Sequence, residues 1–176
     1  MNNILHAPEN IKDVYLRALF IFGATYSAYY FFLIDTSFYV WHIETIHNYV
    51  SKLSDWLGIA HSSSFDSHGS MSGFLRTDVG AEVHINSSVD GLLEIMIATA
   101  AILAWPGNPI MKVAYLIAGV ILFYVLAITR ATAAFWTDQY APLNRDIVVT
   151  WVLPSLLIFI VLAYFSGWIL LTKKKP

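Results

Sequence analysis

Three stretches of the chain are apolar, with few interruptions, over the ~20 residues needed to cross a bilayer. They are residues 14–34, 110–134 and 147–171. In the first, Arg17 is the only charge and stands one turn from the start, where its long side chain reaches back to the interface. A fourth apolar run, residues 91–105, is shorter and carries Glu94. The turn sequence Trp105-Pro106-Gly107-Asn108-Pro109 follows it at once and leads straight into the run at 110. Two antiparallel spans joined by a tight turn are the simplest reading. The pattern predicts an all-α integral membrane protein, with about four transmembrane helices in a single membrane domain over residues 1–176.

Residues 35–88 differ in character. Tyr39, Ile43, Ile46, Val50, Leu53 and Leu57 recur at alternating spacings of four and three, which is one face of a helix. Glu44, His47, Asn48, Ser51, Lys52 and Asp55 take the other face. Trp41 and Trp56 suit a membrane–water boundary, and Gly58 suits the residue just past a helix end. A polar, serine-rich loop is expected over residues 61–72. Beyond it, Val79, Ala81, Val83 and Ile85 alternate with Gly80, Glu82, His84 and Asn86, a strand pattern with residues 74–77 as its hairpin partner. The segment reads as an amphipathic helix lying on the outer surface, followed by a small β-hairpin.

Charge orients the spans. Lys12, Arg17, Lys112, Lys173, Lys174 and Lys175 fall on one side of a four-span arrangement, which is then cytoplasmic. Lys52, Arg76, Arg130 and Arg145 are spread over much more sequence on the other. Both termini are expected in the cytoplasm. The opening residues are too polar and varied for a signal peptide, so the first run is expected to be a retained helix. Composition agrees, with 57% hydrophobic and 12% charged residues, against roughly a quarter charged in soluble domains. A net charge of −2 gives a nucleic-acid partner no electrostatic support. The chain has no cysteine, which excludes disulfides, thiolate metal sites and a cysteine nucleophile.

Four groups of residues carry candidate chemistry. Ser87-x-x-Asp90 before an apolar run is a helix-start pattern. Asp90 and Glu94 share a helix face, and an intramembrane carboxylate requires a partner. Arg130 is the natural one, since it lies about 27 Å of helix beyond Lys112 and so near the outer end of its span. The three form a polar outer-face cluster, read either as a structural ion pair or as a site. His61, His68 and His84 are weak metal candidates, because no His-x-x-x-His pair is present and exposed polar residues explain them as well. Gly23, Ala24, Ser27 and Ala28 form small-xxx-small pairs that permit close helix approach, inside the bundle or against a partner.

The order of these pieces resembles the exosortase/archaeosortase family in its short single-domain branch. The resemblance rests on His84-Ile85-Asn86-Ser87-Ser88-Val89-Asp90-Gly91-Leu92, Leu103-Ala104-Trp105-Pro106, Ala127-Ile128-Thr129-Arg130 and Val149-Thr150-Trp151-Val152-Leu153-Pro154, and covers roughly residues 14–171. Members are membrane-embedded cysteine transpeptidases that cut a C-terminal sorting signal on the outer face, with a cysteine, an arginine and a histidine as the catalytic set. Here the cysteine position is Val89, the arginine is matched by Arg130, and the histidine position falls near Val149. Valine has no electron pair with which to attack. No histidine follows His84 to serve as a base.

The resemblance implies a bacterial or archaeal cytoplasmic membrane protein on a scaffold that has lost its nucleophile. The favoured function is that of a non-catalytic structural or accessory subunit of a larger membrane complex. The expected partners are the lipid bilayer, other integral membrane proteins and, as an alternative ligand, a peptide tail; no cofactor and no catalytic residue are expected. The runner-up is an atypical active transpeptidase, and a third reading is a periplasmic metal-handling protein.

Overall fold

The computed structural model describes residues 11–33, 36–66, 72–86 and 90–172. The chain is mostly helical, with one small antiparallel sheet. It runs as α1 (Ile11–Ala28), α2 (Ser37–Trp56), β1 (Ser62–Asp66), β2 (Ser72–Arg76), β3 (Glu82–Ile85), α3 (Leu92–Ala104), α4 (Pro109–Tyr140), the single turn α5 (Arg145–Ile147) and α6 (Leu153–Thr172). A π-helical turn, Tyr29–Leu33, continues α1, and another, Val148–Val152, leads into α6. Two helical stretches are long and apolar enough to cross a membrane, Pro109–Tyr140 and Pro142–Thr172. α3 is a shorter apolar helix of 13 residues.

The fold divides into two compact units. One is drawn from Met1–Phe32, Leu92–Phe123 and Ile158–Pro176, the other from Leu33–Gly91 and Tyr124–Leu157. α4 gives its first half to one and its second half to the other.

In the first unit, α1 packs on α3. The half-covered face of α1 carries Val14, Ala18, Ile21, Phe22 and Thr25, the helical spacing expected of a single packed stripe. α3 buries Ala98, Ala100 and Ala104, small residues that let other helices approach, together with Ile102. α4 starts cleanly because Pro109 needs no hydrogen-bond acceptor and the Asn108 side chain accepts the Ile110 N–H at 2.9 Å. Lys112 reaches back from α4 and donates to the Leu103 carbonyl at 3.0 Å, satisfying one of the open carbonyls at the end of α3. Trp105 ties the turn to the end of α6 by donating to Thr172 at 3.2 Å, while its ring meets Phe165 edge-on. The fully buried Trp168 fills the space above Gly107, where a Cβ would come within 2.8 Å of the indole.

In the second unit, α2 follows the hydrophobic pattern read from the sequence as far as Val50, while Leu53 is half-buried, Leu57 is exposed, and His47, expected on the polar face, is buried. Thr36 accepts the Tyr39 N–H at 3.3 Å as the N-cap, and Tyr39, Ile43, Ile46 and Val50 are buried along one stripe. The helix ends as Gly58 predicts. Gly58 adopts φ 77°, its N–H donates to Asp55 and the Ile59 N–H to Ser54, both at 2.9 Å, and Ile59 is buried. That is a Schellman stop.

The sheet corrects the sequence reading. Residues 61–72 are not all loop: Ser62–Asp66 forms an edge strand paired antiparallel with β2, from Ser62↔Arg76 to Asp66↔Ser72. Apart from half-buried Phe65 this strand is exposed, so it lacks the apolar alternation that marks a strand and is held by its backbone ladder. The strand expected from Val79 begins only at Glu82, because residues 78–80 form the turn, with Gly80 at φ 93° and Thr77 accepting the Ala81 N–H at 3.1 Å. The hairpin is thus a three-stranded sheet in the order β1-β2-β3. Helix bounds shift too. The run at 110–134 continues to Tyr140, and the run at 147–171 is preceded by the turns from Pro142. The run at 91–105 narrows to Leu92–Ala104, and α1 starts at Ile11, before residue 14. Ser87 of the helix-start pattern lies outside the described residues.

Candidate functional site

His42 sits inside the second unit on the buried stripe of α2. Its Nε2 lies 3.2 Å from the Asp90 carbonyl oxygen, and its ring meets the Tyr124 ring at 5.6 Å. A carbonyl only accepts, so Nε2 carries the proton. Burial pushes the His42 pKa below its ordinary value, and the Asp90 carbonyl opposes that shift in part. His42 thus donates through Nε2 and pins the backbone just ahead of α3. On the same helix, His47 covers Gly73, where a Cβ would come within 2.7 Å of the imidazole Cγ. β2 can pass so close to α2 only because that residue is glycine.

Asp138, in the last turns of α4, holds the sheet edge. Its Oδ2 accepts the Glu82 N–H at 2.8 Å and its Oδ1 accepts from Arg145 Nε at 3.1 Å. The Glu82 N–H at the start of β3 is thus satisfied by a side chain 56 residues away. Sequence reading missed this group, since an acidic residue near a helix end carries no pattern of its own.

His61 follows the Schellman stop. Its Nδ1–H donates to the Ile59 carbonyl at 2.8 Å, which leaves Nε2 to accept from the Ser51 hydroxyl at 2.9 Å. Asp55 lies 3.6 Å from Nδ1 but is well exposed. A hydroxyl on an imidazole with its other nitrogen anchored has the outline of a nucleophile and base. Ser51, however, stands in the closing turns of α2, where the negative end of the helix opposes a developing oxyanion. The group acts as a latch that folds the chain back on α2. Both nitrogens of His61 are used within the fold, and His84 pairs with Glu82 and stacks edge-on against Phe74. Among the described residues no three His, Cys, Asp or Glu side chains are grouped to hold a metal. His68 lies outside the described residues.

Of the positions that match the transpeptidase set, Val89 lies outside the described residues, Arg130 is half-buried in α4, and Val149 is exposed in the π-helical turn before α6. The Asp90 side chain is fully buried and Glu94 opens the first turn of α3. None of Asp90, Glu94 and Arg130 is without an interaction partner.

Two surfaces remain. Gly23, Ala24, Ser27 and Ala28 are all exposed on α1, Gly23 and Ser27 on the side away from its packed stripe, and a Cβ at Gly23 would meet nothing within 4 Å. In the second unit, an open groove of about 420 Å3 is lined by Leu53 of α2, by Leu57 just past its end, and by Thr129, Thr132, Ala133, Trp136 and Thr137 of α4.

Compared with family models, with characterised proteins and with solved structures, the chain matches none of them.

Proposed function

We propose that this chain is a multi-pass protein of a bacterial or archaeal cytoplasmic membrane that works by binding, as a structural or accessory subunit of a larger membrane complex, on an exosortase-like scaffold without its thiol chemistry. The observation that carries the reading is the small-residue stripe of α1. Gly23, Ala24, Ser27 and Ala28 face open space, so internal packing does not account for them among the described residues. Small-xxx-small faces serve close helix contacts in membranes. The membrane reading is supported by α6, since none of the most apolar 18-residue window of Pro142–Thr172 is buried inside the fold. Such a surface requires lipid or another helix around it. The non-catalytic reading is supported by the absence of cysteine and of any histidine after His84.

The topology that goes with it has four spans, both termini in the cytoplasm and residues 35–88 outside. Because the chain has no cysteine, single cysteines at Ser63 and Lys174 can be probed directly with an impermeant thiol reagent on intact cells. Labelling is expected at 63 and not at 174, and the reverse would overturn the orientation.

The function is tested by purification in mild detergent followed by identification of co-purifying integral proteins. Gly23→Leu with Ala24→Leu should remove the partner while leaving protein level and elution of the free chain unchanged. A wild-type chain that elutes alone and cross-links to nothing in cells would sink the proposal. The catalytic alternative is tested with Ser87→Ala, Ser88→Ala and Asp90→Asn combined. If processing of a tail-bearing surface protein depends on this chain and is lost in that variant at unchanged protein level, the chain is an enzyme.

A further inference from the structure

We infer that α2 stands in the outer leaflet and presents a second, aromatic face to phospholipid; the inference rests on the membrane reading above. The apolar face read from the sequence is spent on the protein itself, since Tyr39, Ile43, Ile46 and Val50 are buried and the sheet packs on the helix. On another side, at 3.6 residues per turn, Phe38, Trp41, Tyr49, Lys52 and Trp56 fall within about 80° of one another. All five are exposed, the four rings by 51% to 80%. Phe38 meets Trp41 at 5.7 Å, and the Lys52 amine lies 5.7 Å from the centre of the Tyr49 ring. The stripe holds no aliphatic residue and no acid. Glu44, Asn48 and Asp55 keep to a separate flank, about 60–100° away.

Contacts within the second unit set the depth of each ring. His42 meets the Tyr124 ring near the start of α2, and toward its other end Leu53 and Leu57 share a groove with Thr129, Thr132 and Thr137. Tyr124 to Thr137 is about 20 Å of α4 and His42 to Leu57 about 22 Å of chain, so the two helices run side by side in the same direction. α2 thus stands beside α4 instead of lying across the membrane surface as its amphipathic pattern predicts. The hydrocarbon is about 30 Å thick and takes about 20 residues of α4, so counting from Pro109 to Lys112 puts its outer boundary at about Thr129 to Thr132. Trp41, level with Tyr124, is then about 7–12 Å beneath that boundary, and Phe38 is one turn deeper. Tyr49 reaches the boundary. Lys52 stands about 15 Å further out than His42, among the phosphates, and Trp56 lies beyond them. Along the stripe the chemistry changes in the order in which a leaflet changes: a ring without a polar atom, an indole, a phenol, then the one cation, which complements phosphate. A face shaped for another protein has no reason to follow depth.

Because the chain has no cysteine, depth can be measured residue by residue. Phe38→Cys, Trp41→Cys, Tyr49→Cys, Lys52→Cys and Trp56→Cys would each carry a nitroxide in the full chain, reconstituted in vesicles of phosphatidylethanolamine and phosphatidylglycerol. Phe159→Cys on α6 and Ser63→Cys on β1 serve as references. Collisions with oxygen, which concentrates among acyl chains, and with a water-soluble nickel chelate report the depth of each label. Oxygen should dominate at 38 and 41 as at 159, nickel should dominate at 56 as at 63, and 49 and 52 should fall between. One common depth for all five would mean that α2 lies flat, and nickel dominating at all five would mean that it stands clear of the membrane; either overturns the proposal. So would labels at 38 and 41 that are immobile and reached by neither agent, since polypeptide then covers the stripe. Nickel access at 159 would overturn the membrane reading itself, whatever α2 shows. Tryptophan emission provides a second measurement should a labelled variant fail to elute as wild type does. Trp41→Phe should remove emission that brominated acyl chains quench and iodide does not, and Trp56→Phe should remove emission that iodide quenches. The reverse assignment would overturn the proposal.

Discussion

Tyr115 and Tyr164 each donate a hydroxyl hydrogen bond to the other's backbone carbonyl, across two helices and with their rings stacked at 4.5 Å. The lock is reciprocal down to the glycines that make room for it. The Tyr164 hydroxyl end lies over Gly119 of α4, and the Tyr115 hydroxyl lies over Gly167 of α6. Small residues bring the two backbones close, and each phenol then reaches the opposite carbonyl.

The lock predicts an asymmetry between the two glycines. At Gly167 an added Cβ meets only the Tyr115 hydroxyl, at 2.8 Å, whereas at Gly119 it also meets the Tyr164 ring carbon Cζ at 2.9 Å. Tyr115→Phe and Tyr164→Phe should each lower stability by about 0.5–1.5 kcal/mol, the usual net contribution of one internal hydrogen bond. Gly167→Ala should be rescued by Tyr115→Phe, and Gly119→Ala should not be rescued by Tyr164→Phe. Thermal unfolding of the four single and two double variants checks this. Equal rescue of both pairs would refute the geometry.

Asp138 predicts a split between two of its contacts. Asp138→Ala leaves the Glu82 N–H without its acceptor and should cost about 1–3 kcal/mol. Arg145→Ala removes only a half-exposed ion pair and should cost under about 1 kcal/mol. Hydrogen exchange at the Glu82 amide should rise in the first variant and stay near wild type in the second. An unchanged amide in Asp138→Ala would show that β3 is held from elsewhere.

His42 predicts a pH dependence. Its pKa in the fold is below the ordinary 6.5, so the unfolded chain binds the proton first as pH falls. The fold keeps its full stability above about pH 6.5 and loses some from there down to the lowered pKa, below which the loss levels off. His42→Gln keeps a donor for the Asp90 carbonyl but does not titrate. Melting temperatures measured from pH 8 to pH 5 should fall less steeply for this variant than for wild type. Parallel curves would mean that His42 titrates normally.

Gly58 and Gly73 predict costs of different origin. Gly58→Ala has open space but a left-handed backbone, φ 77°, and should cost about 1–2 kcal/mol. Gly73→Ala has an ordinary backbone but drives a methyl into His47, so its cost depends on that ring moving. Adding His47→Ala should restore stability to the Gly73 variant relative to His47→Ala alone, and should do nothing for Gly58→Ala.

What the sequence determined by itself is the set of features with a local cause. The apolar runs became helices because a helix satisfies all but the end groups of their backbone within the same segment. α2 came out with its buried stripe and its stop at Gly58 because a period of three and four and a glycine beyond the last turn act over a few residues. The missing thiol and late histidine were equally plain in the letters. Only the tertiary structure decided the rest. β1 is a strand because β2 presents a ladder to Ser62–Asp66, which has no apolar rhythm of its own. Asp138 finds Glu82 across 56 residues, and Tyr115 finds Tyr164 across 49. The outward turn of the α1 stripe and the open groove likewise follow from which helix faces are already taken. A side chain bonding to a distant backbone leaves no periodic trace, because its geometry is set only when helices and strands have packed to their final register.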